Sequence, residues 1–417
     1  MIMPYIDLKY KPSKDDLICS FRVEPTKGLS VKKAAEKIAE ESSIGTWTTV
    51  KTMSPRIQKI GAKVYEIKGK WVKIAYPWQL FEPGNMPEIM SSIGGNIFGM
   101  KSIDKLRLED IEWPKKIMNS FKGPKFGIEG IRKILKVKKR PLVGTIVKPK
   151  LGLNEKEHAK VAYQAWIGGC DIVKDDENLT SQNFNRFEKR VKETLKMRDK
   201  AERETGEKKA YMPNVTAETK EMIKRAKFVK NHGGRYAMVD IITMGWSGLQ
   251  SIRNEDLGLI LHAHRAGHAA FTRGNHGISM LVIADIARLI GVDQIHIGTV
   301  VGKMVGSRKE VTHIEDEIEK KFIKDGRHTL EENWGKIKTV FAVCSGGLHP
   351  GLVQKLIKIM GKNIIIQAGG GIHWNPRGTK YGAMGLRQAV DAVMERIPLK
   401  EYAKTHLELK EALDKWD

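Results

Sequence analysis

The sequence predicts an α/β protein in which a C-terminal (β/α)8 TIM barrel follows a smaller α+β domain. From Pro141 onward, short apolar runs recur, and each ends on a polar or glycine cluster before a helical pattern begins. The runs are LVGTIVKPK, CDIVKDDEN, AYMPNVTA, YAMVDIITMG, LILHAHRAG, QIHIGTV, KTVFAVCSGG and NIIIQAGGG. Eight strand-then-helix units over about 240 residues match this barrel. A doubly wound sheet is the alternative, but its Gly-rich dinucleotide turn is missing after the first strand.

The N-terminal stretch lacks the repeating strand-then-helix pattern. Strand-like runs, LICSFRVEP and KVYEIKGKWVKIAYP, flank one helix with an apolar face, and Ser30 can cap that helix. A Pro/Gly/Lys-rich passage, WPKKIMNSFKGPKFGIEG, then precedes the repeating units. We therefore expect an N-terminal α+β domain at 1–125 and a barrel with a helical C-terminal tail at 126–417.

Composition excludes several classes of protein. With 41% hydrophobic and 29% charged residues, the chain is neither disordered nor collagen-like. The apolar stretch 278–292 is interrupted by Asp285 and Arg288, so it is no membrane span, and no export signal is visible. The three cysteines are far apart and form no CxxC, which argues against disulfides and cysteine-rich zinc sites. We expect a cytoplasmic protein without a membrane partner.

The net charge of +24 favours either a nucleic-acid partner or a basic surface around an anionic small substrate. The lysines are interleaved with acids in helix-like stretches such as KETLKMRDKAERETGEKK. This pattern is typical of a solvated helix face, so we expect no nucleic-acid partner.

The end of the second predicted strand carries Lys174, Asp175, Asp176 and Glu177. They could be a lysine paired with carboxylates on a solvated loop. Alternatively, oxygen ligands suit Mg²⁺, and alternation along the strand puts Lys174 and Asp176 on one face. Two carboxylates and an amine make an incomplete site. A lysine that has reacted with CO2 becomes a carbamate, which supplies a further anionic oxygen ligand.

The first and fifth strand ends carry basic side chains. Lys148 and Lys150 are either surface lysines around a turn or, for one of them, an acid/base group facing the reacting carbons. His262 and His264 form an HxH that could bind zinc, as in hydrolases that also use a carboxylated lysine. In those hydrolases the HxH precedes the lysine, whereas here it follows Lys174. A packed core histidine is the simpler interpretation for His262, and less so for His264 beside Arg265.

The last three strand ends are rich in glycine. His296 precedes GTVVGKMVG, which fails the P-loop pattern and indicates either a flexible turn or a glycine-hinged lid that carries Lys303. Ser345–Gly347 and Gly369–Gly371 follow the seventh and eighth strands, where barrels commonly bind phosphate. With Arg265 and His296 opposite, the site has cationic and N–H groups for two separated phosphates.

Together, these segments resemble a known family. GTIVKPKLGL, GGCDIVKDDENLTSQNFNRF, HAHRAGHA, HIGTVVGKMVG, CSGGLHPG and QAGGG are similar to the successive active-site segments of the large chain of ribulose-1,5-bisphosphate carboxylase/oxygenase (Rubisco). ESSIGTWTTV and GGNIFGMKSIDKLRLEDI resemble its N-terminal segments, and the match runs from near residue 20 to about residue 390. The resemblance implies Mg²⁺-dependent carboxylation of ribulose 1,5-bisphosphate by CO2 to two 3-phosphoglycerates through an enediolate, with competing oxygenation by O2.

The resemblance also implies residue roles. Lys174 would be the activating carbamate, and Asp176 and Glu177 would complete a site for one Mg²⁺. His264 would transfer protons during hydration and cleavage, and Lys148 would protonate the departing carbanion. Lys303 would lie over the added carboxylate. One phosphate would be bound by Arg265 and His296, and the other by Gly346, Gly347, Gly369, Gly370 and Thr46, with Ser345 and Lys150 as second contacts. The neighbouring subunit of a homodimer, or of a larger assembly of dimers, would contribute Glu41, Thr46, Trp47 and Asn96.

Some positions depart from the plant-like pattern. Ile146 stands where many members have a substrate-contacting threonine, with Thr145 displaced by one, and Ile297 replaces a serine. The tail that latches over the closed lid is also missing. These traits resemble the archaeal branch, in which no small subunit is expected and the pathway is either nucleoside-phosphate salvage, as in AMP metabolism, or a CO2-fixing cycle.

Two other functions stay open. A Rubisco-like enolase or isomerase would need Mg²⁺ and enolisation but no carboxylation. A non-catalytic basic module would bind polynucleotides in a salt-sensitive manner and would have no use for Mg²⁺.

Overall fold

A computed structural model describes residues 4–48, 50–302, 308–326 and 329–416. By packing, the chain forms two compact units. The first contains Met1–Gly123, Gly267–Ile290 and Lys320–Ile337, and the second contains Pro124–Ala266, Gly291–Glu319 and Lys338–Asp417. In the described part of the chain, no helix is long and apolar enough to cross a membrane.

The strands are short, and two barrel strands have only three residues. In chain order they are β1 (Asp16–Pro25), β2 (Lys63–Lys68), β3 (Trp71–Pro77), β4 (Ile103–Glu112), β5 (Leu142–Ile146), β6 (Ile172–Lys174), β7 (Ala210–Met212), β8 (Tyr236–Asp240), β9 (Ile260–His264), β10 (Gly277–Ile278), β11 (Gln294–Gly298), β12 (Phe322–Ile323), β13 (Glu332–Asn333), β14 (Phe341–Ser345) and β15 (Ile364–Gln367).

The helices alternate with the strands through the second half of the chain. They are α1 (Val31–Glu41), α2 (Pro55–Gln58), α3 (Met86–Ile93), α4 (Lys115–Met118), α5 (Gly127–Leu135), α6 (Glu155–Ile167), α7 (Phe187–Thr205), α8 (Thr219–Asn231), α9 (Ile241–Asn254), α10 (Ala269–Thr272), α11 (Met280–Ile290), α12 (Arg308–Glu319), α13 (Val353–Met360), α14 (Gly370–His373), α15 (Thr379–Glu395), α16 (Leu399–Tyr402) and α17 (Leu407–Trp416).

The first unit is built on a five-stranded sheet with the order β10-β4-β1-β3-β2. β1 pairs antiparallel with both β3 and β4, and the short β10 runs parallel to β4. Ser30 caps α1, as the sequence predicts, because its side chain accepts a hydrogen bond from the Lys33 N–H. The buried face of α1 is apolar, so this helix packs against the unit's core.

The second unit contains a parallel eight-stranded sheet with the order β7-β6-β5-β15-β14-β11-β9-β8. An isolated parallel bridge between Asn214 and Met238 links β7 to β8 and closes the barrel. The eight strands coincide with the eight runs predicted from sequence, which confirms the (β/α)8 barrel. One buried apolar cluster joins α5 to residues of seven strands, including Leu142, Phe341 and Ile365. The polar side chains of the candidate site lie outside this cluster, at the carboxyl ends of the strands.

The three cysteines are buried and unpaired. Cys19 lies on β1, Cys344 lies on β14, and Cys170 precedes β6. Burial raises the pKa of all three thiols, and that of Cys170 reaches about 12.

Candidate active site

Lys174 is the last residue of β6, and its side chain is buried at 1% exposure. Its amine donates to the Asp175 carbonyl at 2.9 Å and to Glu177 Oε2 at 3.4 Å. Burial lowers the pKa of this amine, although neighbouring carboxylates oppose the effect. The neutral amine, which is the form that can react with CO2, is therefore more accessible than on an exposed lysine.

Two lysines after β5 reach across to the segment that follows β6. Lys148 Nζ lies 2.6 Å from Asp176 Oδ2, and Lys150 Nζ lies 3.4 Å from Asn178 Oδ1. Asp176 is buried, so its carboxylate faces this cluster and not open solvent. The structure thus brings Lys148 and Asp176 together, and it places Lys150 at the edge of the same cluster.

Glu177 and His264 lie next to each other. Their closest atoms, Glu177 Oε2 and His264 Nε2, are 3.6 Å apart. Burial alone would raise the pKa of Glu177, but the charges of Lys174, His264 and Lys148 lower it to about 2. Glu177 is therefore ionised at neutral pH, as a metal ligand must be.

His264 has a second partner that the sequence did not identify. Its Nδ1 lies 2.9 Å from Oδ1 of Asp240, the last residue of β8. This contact orients the imidazole and directs Nε2 towards Glu177. The position of Asp240 at a strand end was the signal that could have identified it.

Asp175 points away from Lys148 and into a buried network. Its carboxylate accepts hydrogen bonds from Arg190 Nε at 3.1 Å, Tyr211 Oη at 2.7 Å and the Asn214 N–H at 3.0 Å, and it lies 3.0 Å from His158 Nε2. These contacts hold the segment on which the neighbouring acids are carried. Sequence reasoning did not find Arg190, Tyr211 or His158.

The side chains around Lys174 would form a magnesium site only if one more oxygen ligand were added to them. Within the described ranges, no group of three histidine, cysteine, aspartate or glutamate side chains is placed to hold a metal. Asp176 and Glu177 supply two carboxylates beside the buried Lys174 amine. A carbamate on Lys174 would supply the missing anionic oxygen, so the donor set then suits Mg²⁺.

The HxH residues do not act as one metal-binding pair. His262 Nε2 lies 3.0 Å from His296 Nε2, whereas the ring nitrogens of His264 face carboxylates. The second ring nitrogen of His296, Nδ1, lies 2.8 Å from Ser345 Oγ. Burial and nearby cations lower the pKa of His262 and His296 well below its usual range, so both rings are neutral. This arrangement disfavours the zinc alternative.

Arg265 follows β9 and packs beside β11. Burial lowers its pKa to about 10, so the guanidinium stays cationic at neutral pH. A Cβ on Gly298 would lie 2.8 Å from an Arg265 nitrogen, and Gly298 has φ +93°. Glycine is therefore required at Gly298. Lys303, predicted on the lid, lies outside the described residues.

The two glycine clusters follow β14 and β15. Gly346 and Gly347 have φ of 112° and 76°, which favours glycine at both positions. A Cβ on Gly369 would lie 3.3 Å from Lys148 Cε, whereas Gly370 has open space around it. These backbones can approach an anion closely, and the second cluster lies beside Lys148.

The four predicted neighbour-subunit residues belong to the first unit. Asn96 Nδ2 lies 3.4 Å from Glu41 Oε1, so these two side chains are held together. Thr46 is half-buried, and Trp47 is 90% exposed.

Comparisons with known proteins agree with the fold. The family model "Ribulose bisphosphate carboxylase large chain, N-terminal domain" matches residues 4–117, and the catalytic-domain model of the same family matches residues 127–416. The ribulose bisphosphate carboxylase of Methanocaldococcus jannaschii is 53% identical over 427 residues, covering 99% of this chain and 100% of that protein. That of Pyrococcus furiosus is 50% identical, covering 99% and 97%.

Solved structures give the same result. The dimeric archaeal Rubisco of Hyperthermus butylicus superposes with a TM-score of 0.94 at 47% identity, covering 99% of this chain and 98% of that one. The octameric enzyme of Pyrococcus horikoshii has a TM-score of 0.91 at 48% identity, covering 99% and 97%. The resemblance seen in the sequence is confirmed. The chain belongs to the ribulose bisphosphate carboxylase large-chain family.

Proposed function

We propose that this chain is a ribulose-bisphosphate carboxylase. It would join CO2 and water to ribulose 1,5-bisphosphate and cleave the product to two 3-phosphoglycerates, with O2 as a competing substrate. The observation that carries the proposal is the buried Lys174 amine 3.4 Å from Glu177, beside the ion pair of Lys148 and Asp176. The proposed carboxylation chemistry needs a lysine buried among carboxylates at the end of a barrel strand, whereas a purely structural role does not.

The proposed cofactors are one Mg²⁺ and an activating CO2. Lys174, as its carbamate, would hold the ion together with Asp176 and Glu177, and the bound ion would polarise the substrate's C2 and C3 oxygens. The lowered pKa of Lys174 supports this assignment, because the carbamate forms from the neutral amine. The charges of His264 and Lys148, which also lower the pKa of Glu177, would keep that ligand ionised.

Proton transfers would fall to side chains around the cluster. His264, oriented by Asp240 at 2.9 Å, would accept and return protons during hydration and cleavage. Lys148 would donate a proton to the carbanion of the departing three-carbon fragment. Lys303 would approach the added carboxylate, where its charge would match the charge that develops.

The two substrate phosphates would bind on opposite sides of the barrel mouth. Arg265 and His296 would bind one, and the Arg265 charge persists because its pKa stays near 10. The backbone N–H groups after β14 and β15 would bind the other, with Thr46 supplied by a neighbouring chain. The proposed backbone donors are Gly346, Gly347, Gly369 and Gly370, and Ser345 and Lys150 are second contacts.

We further propose a homodimer in which each chain completes the other's site, alone or within a larger assembly of dimers. The related structures are described as dimeric and octameric. Trp47 supports the proposal, because an indole that is 90% exposed in one chain is suited to burial by another. Glu41, Thr46, Trp47 and Asn96 would be contributed in this way, and no small subunit or nucleic acid would take part.

The decisive experiment is incubation with Mg²⁺, ribulose bisphosphate and labelled bicarbonate. Label in 3-phosphoglycerate is expected. Turnover of the ketose without label in the product would contradict carboxylation and would support an enolase or isomerase. Omission of Mg²⁺ is the matched control and should abolish labelling.

A further inference from the structure

Thr145 joins the ends of two adjacent barrel strands. It lies on β5 and is fully buried, and its Oγ1 donates to the Ala368 carbonyl at 2.6 Å. The Ala368 N–H in turn donates to the Gly144 carbonyl at 3.0 Å. The pairing of β5 with β15 therefore extends past the last residue of β15, up to the glycine turn that begins at Gly369.

His373 lies beyond that turn and contacts the same strand end. Its Nε2 lies 2.9 Å from the Ile146 carbonyl and 3.1 Å from Thr145 Oγ1. Its Nδ1 lies 2.9 Å from Thr379 Oγ1, at the start of α15. We call Thr145, His373 and Thr379 the β5–β15 clamp.

The clamp's hydrogen bonds require a single tautomer. The Ile146 carbonyl can only accept, so Nε2 carries the proton. Thr145 gives its own proton to Ala368, and it can therefore accept from the same Nε2. Nδ1 is then free to accept from the Thr379 hydroxyl.

The ring is neutral, which this pattern needs. Burial, opposed by the hydrogen bond to the Ile146 carbonyl and assisted by the charge of Lys148, lowers the pKa of His373 to about 4. The clamp is thus complete throughout the neutral pH range.

The clamp encloses two groups that the proposed reaction uses. Lys148 follows Ile146 by two residues, and the Gly369 and Gly370 N–H groups precede His373 by three to four. Lys148 Cε lies 3.3 Å from where a Cβ on Gly369 would be, so the lysine crosses directly beside the turn. A shift of the turn relative to β5 would therefore change the position of Lys148 relative to the phosphate donors.

We propose that His373 is a positioning residue that holds the glycine turn against the end of β5. Through it, the β5–β15 clamp fixes the distance between the proton donor and one phosphate-binding group. The inference rests on the proposed function for its effect on catalysis. It also gives the Thr145 hydroxyl a role within the fold, since its partners are the Ala368 carbonyl and His373.

The test compares His373→Leu with His373→Gln. Leucine removes both ring nitrogens, whereas the glutamine amide can still donate to the Ile146 carbonyl. Hydrogen–deuterium exchange of the peptide over residues 364–374 is expected to rise about tenfold in His373→Leu and to return close to wild type in His373→Gln. Peptides from residues 236–264, on the opposite part of the barrel, should be unchanged. His232→Leu, at an exposed histidine stacked on Phe228, is the matched control and should leave both regions unchanged.

Kinetics on the full chain give the second readout. His373→Leu should raise the KM for ribulose bisphosphate about tenfold, and His373→Gln should return the KM most of the way to the wild-type value. The amount of labelled CO2 trapped on Lys174 in the presence of Mg²⁺ should be the same in all three proteins. Unchanged exchange in residues 364–374, or a uniform rise across the barrel, would overturn the proposal. An equal increase in KM in the leucine and glutamine variants would also overturn the proposal. If the wild-type chain fixes no label, the proposed function fails, and the exchange experiment still decides the clamp.

Discussion

The Lys148 amine and the Asp176 carboxylate form an ion pair at 2.6 Å, so the candidate proton donor contacts a candidate metal ligand. Lys148→Met removes this cation and keeps the length of the side chain. We expect Mg²⁺ to bind about three- to tenfold more tightly in the presence of CO2, because the carboxylate loses a competing charge. Carbon fixation should fall about a thousandfold. Calorimetric Mg²⁺ titration and a labelled-bicarbonate assay measure the two effects.

The matched control for that experiment is Lys150→Met, since Lys150 contacts the neutral Asn178 at 3.4 Å. Its Mg²⁺ affinity should equal that of wild type. Weaker Mg²⁺ binding in Lys148→Met would contradict the competition between the two cations.

Lys174→Ala should abolish Mg²⁺-dependent fixation and leave the fold intact. The substitution removes the only amine proposed to form the carbamate, and it also relieves the burial of a charge. Label trapped from CO2 should be lost, while the circular dichroism spectrum and its cooperative melting remain. Lys209→Ala tests another buried barrel lysine, which pairs with Glu207, and should keep activity while losing stability. Turnover near wild type in Lys174→Ala would refute the metal role.

Asp240→Asn should lower kcat about 10- to 100-fold and change KM little. The carboxylate orients His264 through a 2.9 Å contact to Nδ1, and an amide does not fix the ring in the same way. Steady-state kinetics measure the loss. In a His264→Ala background the same substitution should cost almost nothing, because its partner is gone. Additive losses in the double variant would show that Asp240 acts independently of His264.

Glu112→Gln should stabilise the chain at pH 8 but not at pH 5. Burial and the charges of Glu331 and Asp325, opposed by Lys73, raise the pKa of Glu112 from 4.5 to about 7. A raised carboxyl pKa means that the folded state binds the proton more tightly, so stability is lost as pH rises from about 4.5 through 7. At pH 8 the glutamine avoids that loss.

Solvent screening limits this gain to about 1–2 °C in Tm, since the Glu112 side chain is only partly buried. Thermal melts of both proteins at the two pH values measure it. A gain at pH 5 equal to the gain at pH 8 would exclude titration of Glu112 as the cause.

Mixing two inactive variants tests the shared site. Glu41→Gln alters the segment proposed to enter a neighbour's site, and Lys174→Ala alters the barrel. After unfolding and joint refolding, about one quarter of wild-type activity should return, because half of randomly paired dimers are mixed and each restores one of two sites. Each variant refolded alone is the control. No recovery, with mixed dimers shown by mass spectrometry, would contradict a site shared between chains.

The barrel was predictable because its pattern is local. Each strand is a short apolar run with a polar end, and each run is followed by helical spacing. The exact residues at which the strands and helices begin and end were harder to predict. YAMVDIITMG was predicted as one strand, yet β8 ends at Asp240 and α9 begins at Ile241. The β-branched residues Ile241, Ile242 and Thr243 in the first turn of the helix resemble a continuation of the strand. The grouping of Gly267–Ile290 with the N-terminal sheet also depends on contacts that no local pattern records.

The positions of the candidate site residues were predictable where these residues follow a strand end. Lys148, Lys174 and His264 lie at or next to such ends. The supporting residues were not predictable, since their partners are distant in sequence: 24 positions separate Asp240 from His264, and 227 separate Ile146 from His373. Strand alternation already separates Asp175 from Lys174 and Asp176. Its partners were not predictable, because His158, Arg190 and Tyr211 lie on other elements.

The buried thiols have a practical consequence. Since Cys19, Cys170 and Cys344 are enclosed and held in the protonated form, maleimide reagents should leave the native chain unlabelled. A single cysteine placed at an exposed position such as Lys32 would then be the only reactive one. In the proposed dimer, fluorophore or spin-label pairs could be attached to the two chains without first removing any natural cysteine. Distances between the chains could then be followed in an otherwise unaltered protein.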